Sequence, residues 1–244
     1  MRVLVHGAAG RMGSHVMRLA AEGFAGAALA GGVDAFANGQ PGVVAAFAQA
    51  APCDVIVDFS HHSAVAAVLE YAVANKLPAV IATTGCTEEE KLAIAEAAKQ
   101  VPVFFSANMS VGVALLCRMA AQTAALFPDA DVEIVETHHN RKLDAPSGTA
   151  LMIADNIKAV RPEAVYNCGR SGMAKRQKNE IGIAAIRRGN IPGIHEVIVS
   201  TDTQAITLKH EVYDRAFFAE GALTAAAWLG DQPAGLYDMF SMLG

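Results

Sequence analysis

Five short apolar runs in the first 110 residues, each followed by a helical pattern, limit the fold more than any other feature. Each run ends in small or polar residues, and none shows the alternation of a half-buried strand. The runs are Arg2–His6, Ala27–Val33, Asp54–Val57, Ala79–Ala82 and Val101–Phe105. Strands that are apolar throughout and alternate with helices form a parallel sheet covered on both faces. The sequence therefore predicts an α/β domain with a Rossmann-like doubly wound sheet.

The pattern changes after Val111, where strand and helix no longer alternate regularly. Two strand-like segments flank a short polar turn around residues 202–204, which predicts a β-hairpin. The predicted helices are Val111–Leu126, Thr149–Val160 and Ala216–Leu229, and the predicted strands are Asp131–Glu136, Ile181–Arg187, Glu196–Thr201 and Ala205–Glu211. This order predicts a second α+β domain with a mixed or antiparallel sheet.

Composition excludes several classes of protein. Hydrophobic residues make up 53% of the 244 residues and the net charge is −5, which favours a substantial core and argues against nucleic-acid binding. The four cysteines lie far apart, so neither a disulfide scaffold nor a zinc ribbon is expected. We find no signal-peptide pattern and no apolar stretch of about 20 residues, and we expect a cytoplasmic protein without membrane contact.

A glycine-rich loop joins the first predicted strand to the first helix. Gly7–Gly13 has the spacing G-x-x-G-x-x-G, and Asp34 follows the second strand. In dinucleotide-binding domains such a loop admits a pyrophosphate, and an acidic residue about 20 positions later accepts the ribose hydroxyls. Asp34 would repel a 2′-phosphate and Ala35 supplies no cation, although Arg11 could. The loop therefore predicts NADH, with NADPH still open; the alternative is a packing turn with Asp34 as a surface cap.

The stretch Glu136–Thr149 concentrates proton donors beside a helix start. It contains His138, His139 and Lys142, and Ser147 opens a helix whose free backbone N–H groups attract anions. The pattern indicates chemistry on a small anion. The alternative is a solvated sheet edge with Ser147 as an ordinary N-cap. Joint metal binding by the two histidines is disfavoured because neighbours on a strand point to opposite faces, and no metal is expected.

Together these motifs resemble the dihydrodipicolinate reductase family of bacterial and plant lysine biosynthesis. The resemblance extends over nearly the whole chain, and the histidine motif is its most specific part. Its motifs are G-A-A-G-R-M-G at 7–13, V-D-F-S at 57–60, A-T-T-G at 82–85, S-A-N-M-S-V-G-V at 106–113, E-T-H-H-N-R-K-L-D-A-P-S-G-T-A at 136–150, I-G-I-A-A-I-R-R-G at 181–189 and A-E-G-A-L-T-A-A-A-W-L at 219–229.

The resemblance implies a reaction and a set of site residues. NAD(P)H would deliver hydride to a cyclic unsaturated dicarboxylate, giving tetrahydrodipicolinate. His138 would match the catalytic histidine and Lys142 the proton donor. The substrate carboxylates would be held by His139, Ser147, Gly148 and Thr149. The cofactor would be lined by Gly7, Ala8, Ala9, Gly10, Arg11, Met12, Asp34, Ala82, Thr83, Thr84, Ser106, Ala107, Asn108 and Met109.

The resemblance also implies domain limits and assembly. The last helix would return to the first domain, so residues 1–109 and 216–244 would form a discontinuous dinucleotide-binding domain. Residues 110–215 would form a substrate-binding and oligomerisation domain, and the protein would be a homotetramer. Ala35, Ala82 and Met109 depart from residues frequent in the family, and the segment between Asp34 and Asp54 is short. These departures affect cofactor preference more than the reaction.

Two other functions fit parts of the sequence. One is another small-acid or semialdehyde dehydrogenase of two-domain form. A catalytic cysteine at a strand end would favour the semialdehyde enzyme, and Cys86 in T-T-G-C-T is the candidate. A nucleotide-sensing module without catalysis would have no need of His138 and Lys142. We disfavour the sensor because poised proton donors beside an anion site indicate catalysis.

Overall fold

A computed structural model describes residues 1–37 and 39–244. The chain divides into two compact units. The first comprises Met1–Ser110 and Ala216–Gly244, and the second comprises Val111–Arg215. In the first unit the C-terminal segment joins the N-terminal segment within one fold, because its helix and last strand pack against the sheet that the N-terminal segment forms.

The strands and helices follow in chain order. The strands are β1 (Arg2–His6), β2 (Ala28–Val33), β3 (Val43–Val44), β4 (Val55–Asp58), β5 (Ala79–Ile81), β6 (Pro102–Phe105), β7 (Asp131–His138), β8 (Val165–Cys168), β9 (Glu180–Arg187), β10 (Gly193–Ser200), β11 (Ala205–Val212) and β12 (Gly235–Tyr237). The helices are α1 (Arg11–Ala21), α2 (Val65–Asn75), α3 (Glu88–Ala97), α4 (Val111–Leu126), α5 (Gly148–Val160) and α6 (Phe217–Leu229). The predicted elements are present, with ends that differ by at most three residues.

The first unit contains a parallel sheet in the order β12-β6-β5-β4-β1-β2-β3. This confirms the Rossmann-like prediction. Its central strands are buried because their side chains are apolar on both faces: Leu4, Ile56 and Ile81 pack with Val68 of α2 in one core cluster. Helix α6 packs against α1 and against the central strands. The edge strands β3 and β12 were not predicted, because two or three residues are too short to show a hydrophobic period.

The second unit contains a mixed sheet in the order β11-β10-β7-β9-β8. Strand β10 is antiparallel to both β7 and β11, whereas β9 is parallel to β7 and β8. The predicted hairpin is thus confirmed as β10–β11. Strand β7 continues two residues beyond the predicted end, to His138, because Thr137 and His138 pair with Ile186 and Arg187 of β9. This pairing places the first histidine of the motif on the sheet.

Candidate active site

The glycine loop of the first unit has the geometry that a diphosphate cradle requires. Gly7 has a φ of +76° and donates its N–H to the Val33 carbonyl at 3.0 Å. A Cβ on Gly13 would lie 2.0 Å from the Gly7 carbonyl oxygen, so the helix can start this close to the strand only with glycine there. The loop is exposed at Ala9 and Gly10, just before α1 begins, and it fits the pyrophosphate of a dinucleotide.

Asp34 connects the end of β2 to this loop. Its Oδ2 accepts the Ala9 N–H at 3.0 Å, and its Oδ1 accepts the Phe36 N–H at 2.8 Å. The side chain is partly exposed, and Ala35 beside it is exposed. A carboxylate with two backbone donors still has free lone pairs for a ribose hydroxyl. Asp34 therefore fits the predicted acceptor, and its contact with the loop was not foreseen.

A cavity of about 430 Å³ lies in the first unit, within the size range of ligand clefts. Seven predicted cofactor residues line it: Arg11, Met12, Ala82, Thr83, Thr84, Ala107 and Met109. Three further residues of the lining were not predicted: Phe59, Ser60 and Phe218. Phe218 belongs to α6, so its place could not be deduced from spacing in the N-terminal segment.

The other predicted cofactor residues are not among the described residues that line the cavity. They are Gly7, Ala8, Ala9, Gly10, Asp34, Ser106 and Asn108. Ala8, within the glycine loop, is fully buried. The Ser106 hydroxyl donates to the Asn108 carbonyl at 2.8 Å and thereby closes the turn that carries Ala107.

Buried Asp58 organises one wall of the cavity. Its Oδ2 accepts the Thr83 hydroxyl at 2.7 Å, and its Oδ1 accepts the Ser60 N–H at 3.2 Å and lies 2.7 Å from His6 Nδ1. Asp58 is fully buried at the end of β4. Because both Thr83 and Ser60 line the cavity, Asp58 fixes two groups that face a ligand there. The sequence indicated the strand end but not this contact.

In the second unit, His138 is held by a buried carboxylate. Its Nδ1 lies 2.6 Å from Glu136 Oε2, and Arg187 contacts both oxygens of Glu136 at 2.7 Å. Burial would raise the pKa of Glu136, but hydrogen bonds from His138, Arg187 and the Ser147 N–H outweigh it and lower the pKa to about 2. Glu136 therefore stays ionised inside the unit while both oxygens are satisfied.

Ser147 caps α5 and joins the same group of residues. Its hydroxyl accepts the Ala150 N–H at 3.2 Å, and its own N–H donates to Glu136 at 3.1 Å. The hydroxyl also lies 3.1 Å from Nε2 of His195. Ser147 is thus the N-cap that the alternative interpretation assigned to it, and the cap is also tied to the carboxylate that holds His138.

His195 was not predicted, and it packs edge-on against His138 with ring centroids 5.1 Å apart. Burial, followed by the proximity of His138, lowers the pKa of His195 to about 3, so its ring is neutral at pH 7. The alternation of β10 could have indicated it, since His195 shares the buried face with Val197 and Val199.

Lys142 and the start of α5 form the cationic side of the site. Lys142 Nζ lies 2.8 Å from Asp144 Oδ1, and its side chain is 21% exposed. Lys142, and more weakly the Gly148 N–H, lower the pKa of Asp144. A Cβ at Gly148 would meet no atom within 4 Å, so the helix start is open there, and Thr149 follows partly exposed. The ammonium group and the helix N-terminus therefore already share one carboxylate.

His139 lies beyond the end of β7 and is partly buried. Burial, followed by Arg141 and Arg215, lowers the pKa of His139. Its N–H donates to the Ile191 carbonyl at 2.8 Å, and its buried Nδ1 has no hydrogen-bond partner among the described residues. An imidazole donates to a ligand carboxylate through a ring nitrogen that carries a hydrogen.

The thiol required by a semialdehyde dehydrogenase is not activated. Burial is the main effect that raises the pKa of Cys86, and Sγ lies 3.7 Å from the Thr83 carbonyl. A catalytic cysteine needs the opposite shift. Over residues 1–37 and 39–244, no group of three or more metal-ligating side chains could hold an ion. The same residues include no helix of the length and hydropathy that would cross a membrane.

A parallel nucleotide-binding sheet with a glycine cradle, and a second unit with a buried histidine site, define a Rossmann-type oxidoreductase. The family models for the dihydrodipicolinate reductase N-terminus and C-terminus match residues 1–109 and 112–243. The chain therefore belongs to the dihydrodipicolinate reductase family, which confirms the resemblance noted in the sequence.

Relatives and a solved structure agree over the full length. The chain is 42% identical over 245 residues to the 4-hydroxy-tetrahydrodipicolinate reductase of Alkaliphilus oremlandii, covering 100% of this chain and 98% of the relative. It is 41% identical over 244 residues to that of Clostridium novyi, covering 98% and 96%. It is similar, with a TM-score of 0.81 and 25% identity, to the dipicolinate-bound dihydrodipicolinate reductase of Paenisporosarcina sp. TG-14, covering 98% of this chain and 97% of that one.

Proposed function

We propose that the protein reduces 4-hydroxy-tetrahydrodipicolinate (dihydrodipicolinate) to tetrahydrodipicolinate with NAD(P)H, in the diaminopimelate and lysine pathway. The observation that carries the proposal is the placement of His138 in the second unit. It is held on an ionised carboxylate while the Ser147 cap, bonded to the same carboxylate, starts the helix that attracts anions. This arrangement suits proton transfer to a bound dicarboxylate.

The first unit is the proposed dinucleotide-binding domain, formed by residues 1–109 and 216–244. The cofactor residues are those named from the resemblance, with the glycine loop holding the diphosphate and the cavity between Arg11 and Met109 holding the reactive end. When bound, the reduced dinucleotide supplies the hydride. Asp34 with uncharged Ala35 favours NADH over NADPH, because nothing at position 35 offsets the repulsion of a 2′-phosphate.

The second unit, residues 110–215, is the proposed substrate-binding and oligomerisation domain. His138 and Lys142 are the catalytic residues in this proposal. His139, Ser147, Gly148 and Thr149 hold the two carboxylates, through the imidazole of His139 and the N–H groups at the start of α5. A cation and oriented N–H donors are the groups that bind carboxylates most strongly.

The chemistry follows from these placements. Reduction of an imine carbon leaves a neighbouring atom that must gain a proton. His138 can hold that proton on Nε2 because Glu136 engages Nδ1. Lys142 already pairs with the Asp144 carboxylate at 2.8 Å, and a substrate carboxylate offers it the same kind of partner. Its charge would stabilise negative charge on the substrate as the reaction proceeds.

We also propose a cytoplasmic homotetramer. The four cysteines are free, as suits a reducing compartment. Strand β9 presents exposed Ala184, Ala185 and Ile186, and Ile186 is 42% exposed. An apolar strand surface of this kind favours association between sheets.

The test is oxidation of NADH or NADPH, followed at 340 nm, with the product of dihydrodipicolinate synthase generated in situ. We expect rapid oxidation that depends on the synthase reaction, faster with NADH than with NADPH. Omission of the synthase is the matched control. If both cofactors bind but neither is oxidised, the proposed reaction is wrong. Faster oxidation with NADPH would refute the cofactor preference alone.

A further inference from the structure

We infer that Glu136, clamped by Arg187, is a positioning residue that fixes the tautomer and the aim of His138. The inference rests on the proposed function, in which His138 handles the proton. Glu136 does not face the substrate in this account; it acts through the histidine, as a carboxylate that holds an imidazole by one nitrogen and leaves the other for the reaction.

The contacts of the carboxylate define one orientation. Oε2 accepts from His138 Nδ1 at 2.6 Å and from Arg187 at 2.7 Å, while Oε1 accepts from Arg187 at 2.7 Å and from the Ser147 N–H at 3.1 Å. Because an ionised carboxylate only accepts, Nδ1 must carry a hydrogen. In neutral His138 the lone pair is therefore on Nε2, and in the cation Nε2 carries the proton that can be given.

The surroundings of Nε2 keep that nitrogen accessible. A Cβ on Gly193 would lie 3.2 Å from His138 Nε2, so a larger residue at the start of β10 would crowd it. His195 packs edge-on against the ring, with an angle of 72° between the two planes. Carboxylate on one side and imidazole on another limit rotation of the ring, which preorganises the donor.

Arg187 compensates for the negative charge that Glu136 carries inside the unit. A carboxylate inside a protein loses its hydration, but a two-pronged arginine contact compensates for much of that loss. The pair is neutral overall, so the positive charge of protonated His138 remains available to an anionic substrate. Arg187 also donates to the Asp144 carbonyl at 2.7 Å, which links the clamp to the loop that carries Lys142.

The titratable and charged groups around His138 come from several elements. They are Glu136 on β7, Arg187 on β9, His195 and His210 on β10 and β11, and His139, Lys142 and Asp144 in the loop after β7. Of these, Glu136 is the anion that contacts the imidazole directly. Its loss should therefore leave the ring of His138 free to change its tautomer and its orientation.

The experiment compares Glu136→Gln with Glu133→Gln. Glu133 is on the same strand and also pairs with an arginine, Arg176, so it is the matched control. We expect Glu136→Gln to lower kcat by about 100-fold, the usual size of a general acid–base contribution, with the KM for NADH unchanged. Glu133→Gln should keep the wild-type kcat.

Two further variants separate positioning from folding. Glu136→Gln/Arg187→Met removes both buried charges, so it avoids an unpaired arginine and should melt near the wild-type temperature while keeping the low kcat. Glu136→Asp keeps the anion and should recover part of kcat. If the double variant is folded and turns over within twofold of Glu133→Gln, the positioning role is wrong.

A measurement without turnover distinguishes this inference from the proposed function. Two-bond ¹H–¹⁵N NMR on the full-length protein at alkaline pH should show His138 as the Nδ1–H tautomer in the wild type and in Glu133→Gln. A mixture of tautomers in Glu136→Gln supports the inference. An unchanged Nδ1–H tautomer in that variant would overturn it, whatever the enzyme reduces.

Discussion

The two units form their sites from different chemical groups, backbone in the first and charged side chains in the second. In the first unit the cradle is made of backbone and small side chains: Gly7 and Gly13 allow a strand and a helix to meet closely, and Asp34 secures the loop through N–H groups. In the second unit, charged side chains from separate strands converge on His138, and Glu136 at their centre is fully buried. A cradle of backbone tolerates changes in side chains around it, whereas a cluster of buried charges depends on each member.

Replacement of His138 should have the largest effect, and it should act on the second unit alone. In His138→Ala the proposed catalytic imidazole is lost but the glycine loop is untouched. We expect kcat to fall by about 1,000-fold, within the range for loss of a positioned acid–base group, and the Kd for NADH to stay within twofold. Steady-state kinetics and fluorescence titration with NADH measure the two values. Weaker NADH binding with unchanged kcat would move His138 out of the proposed active site.

Replacement of Gly13 should have the opposite effect. In Gly13→Ala the new Cβ would lie 2.0 Å from the Gly7 carbonyl oxygen, so the loop must open. We expect the KM for NADH to rise at least about tenfold and the unfolding free energy to fall by about 1–3 kcal/mol, the usual cost of overpacking.

Gly230→Ala is the matched control for this change. Gly230 has a φ of −59°, and a Cβ there would meet its first neighbour at 3.7 Å, an ordinary contact. We expect it to retain NADH affinity and stability. A normal KM for NADH in Gly13→Ala would show that the cradle does not hold the cofactor.

The same difference explains how much could be predicted from sequence. The Rossmann-like sheet and its cradle were predicted because the apolar runs, Gly7–Gly13 and Asp34 are local signals with fixed spacing. The clamp on His138 joins Glu136 to Arg187 across 51 positions, and His195 meets Ser147 across 48. These contacts depend on the order of strands in the mixed sheet, which no local period contains. The motif predicted the residues of the site but not the contacts that hold them.

Buried His195 should make the second unit sensitive to acid. Its pKa is about 3 when folded against 6.5 ordinarily, so the unfolded chain binds more protons between these values. Stability is therefore full above about pH 6.5 and falls as the pH drops toward 3, with a slope of up to about 1.4 kcal/mol per pH unit.

Urea unfolding followed by circular dichroism at pH 7 and pH 5 measures the slope, with His195→Asn as the comparison. The variant removes the imidazole, and the difference in unfolding free energy between the two pH values should shrink. Glu136 has a pKa near 2 in the folded protein against 4.5 ordinarily, so it lowers stability only below about pH 4.5. Both measured pH values lie above that limit. An equal pH dependence in both proteins would contradict a neutral, buried His195.

Replacement of Asp34 should have the smallest effect, and it tests the proposed preference for NADH over NADPH. Asp34→Ala removes the proposed ribose acceptor and the proposed repulsion of a 2′-phosphate, and it also frees the Ala9 N–H. We expect the ratio of kcat/KM for NADH over NADPH to fall by about tenfold, the effect of roughly one charged hydrogen bond. Asp34→Asn is the matched control, and its ratio should lie between those of the wild type and Asp34→Ala. A constant ratio would place the ribose contact elsewhere.

The division of labour between the units is tested most directly by calorimetric titration of two variants with two ligands. NADH is titrated alone, and dipicolinate, a stable planar dicarboxylate, is titrated at a saturating concentration of NADH for each protein. We predict that Gly13→Ala weakens NADH binding and keeps dipicolinate binding, and that Lys142→Ala does the reverse. Loss of NADH affinity in Lys142→Ala, with dipicolinate affinity unchanged, would contradict the account.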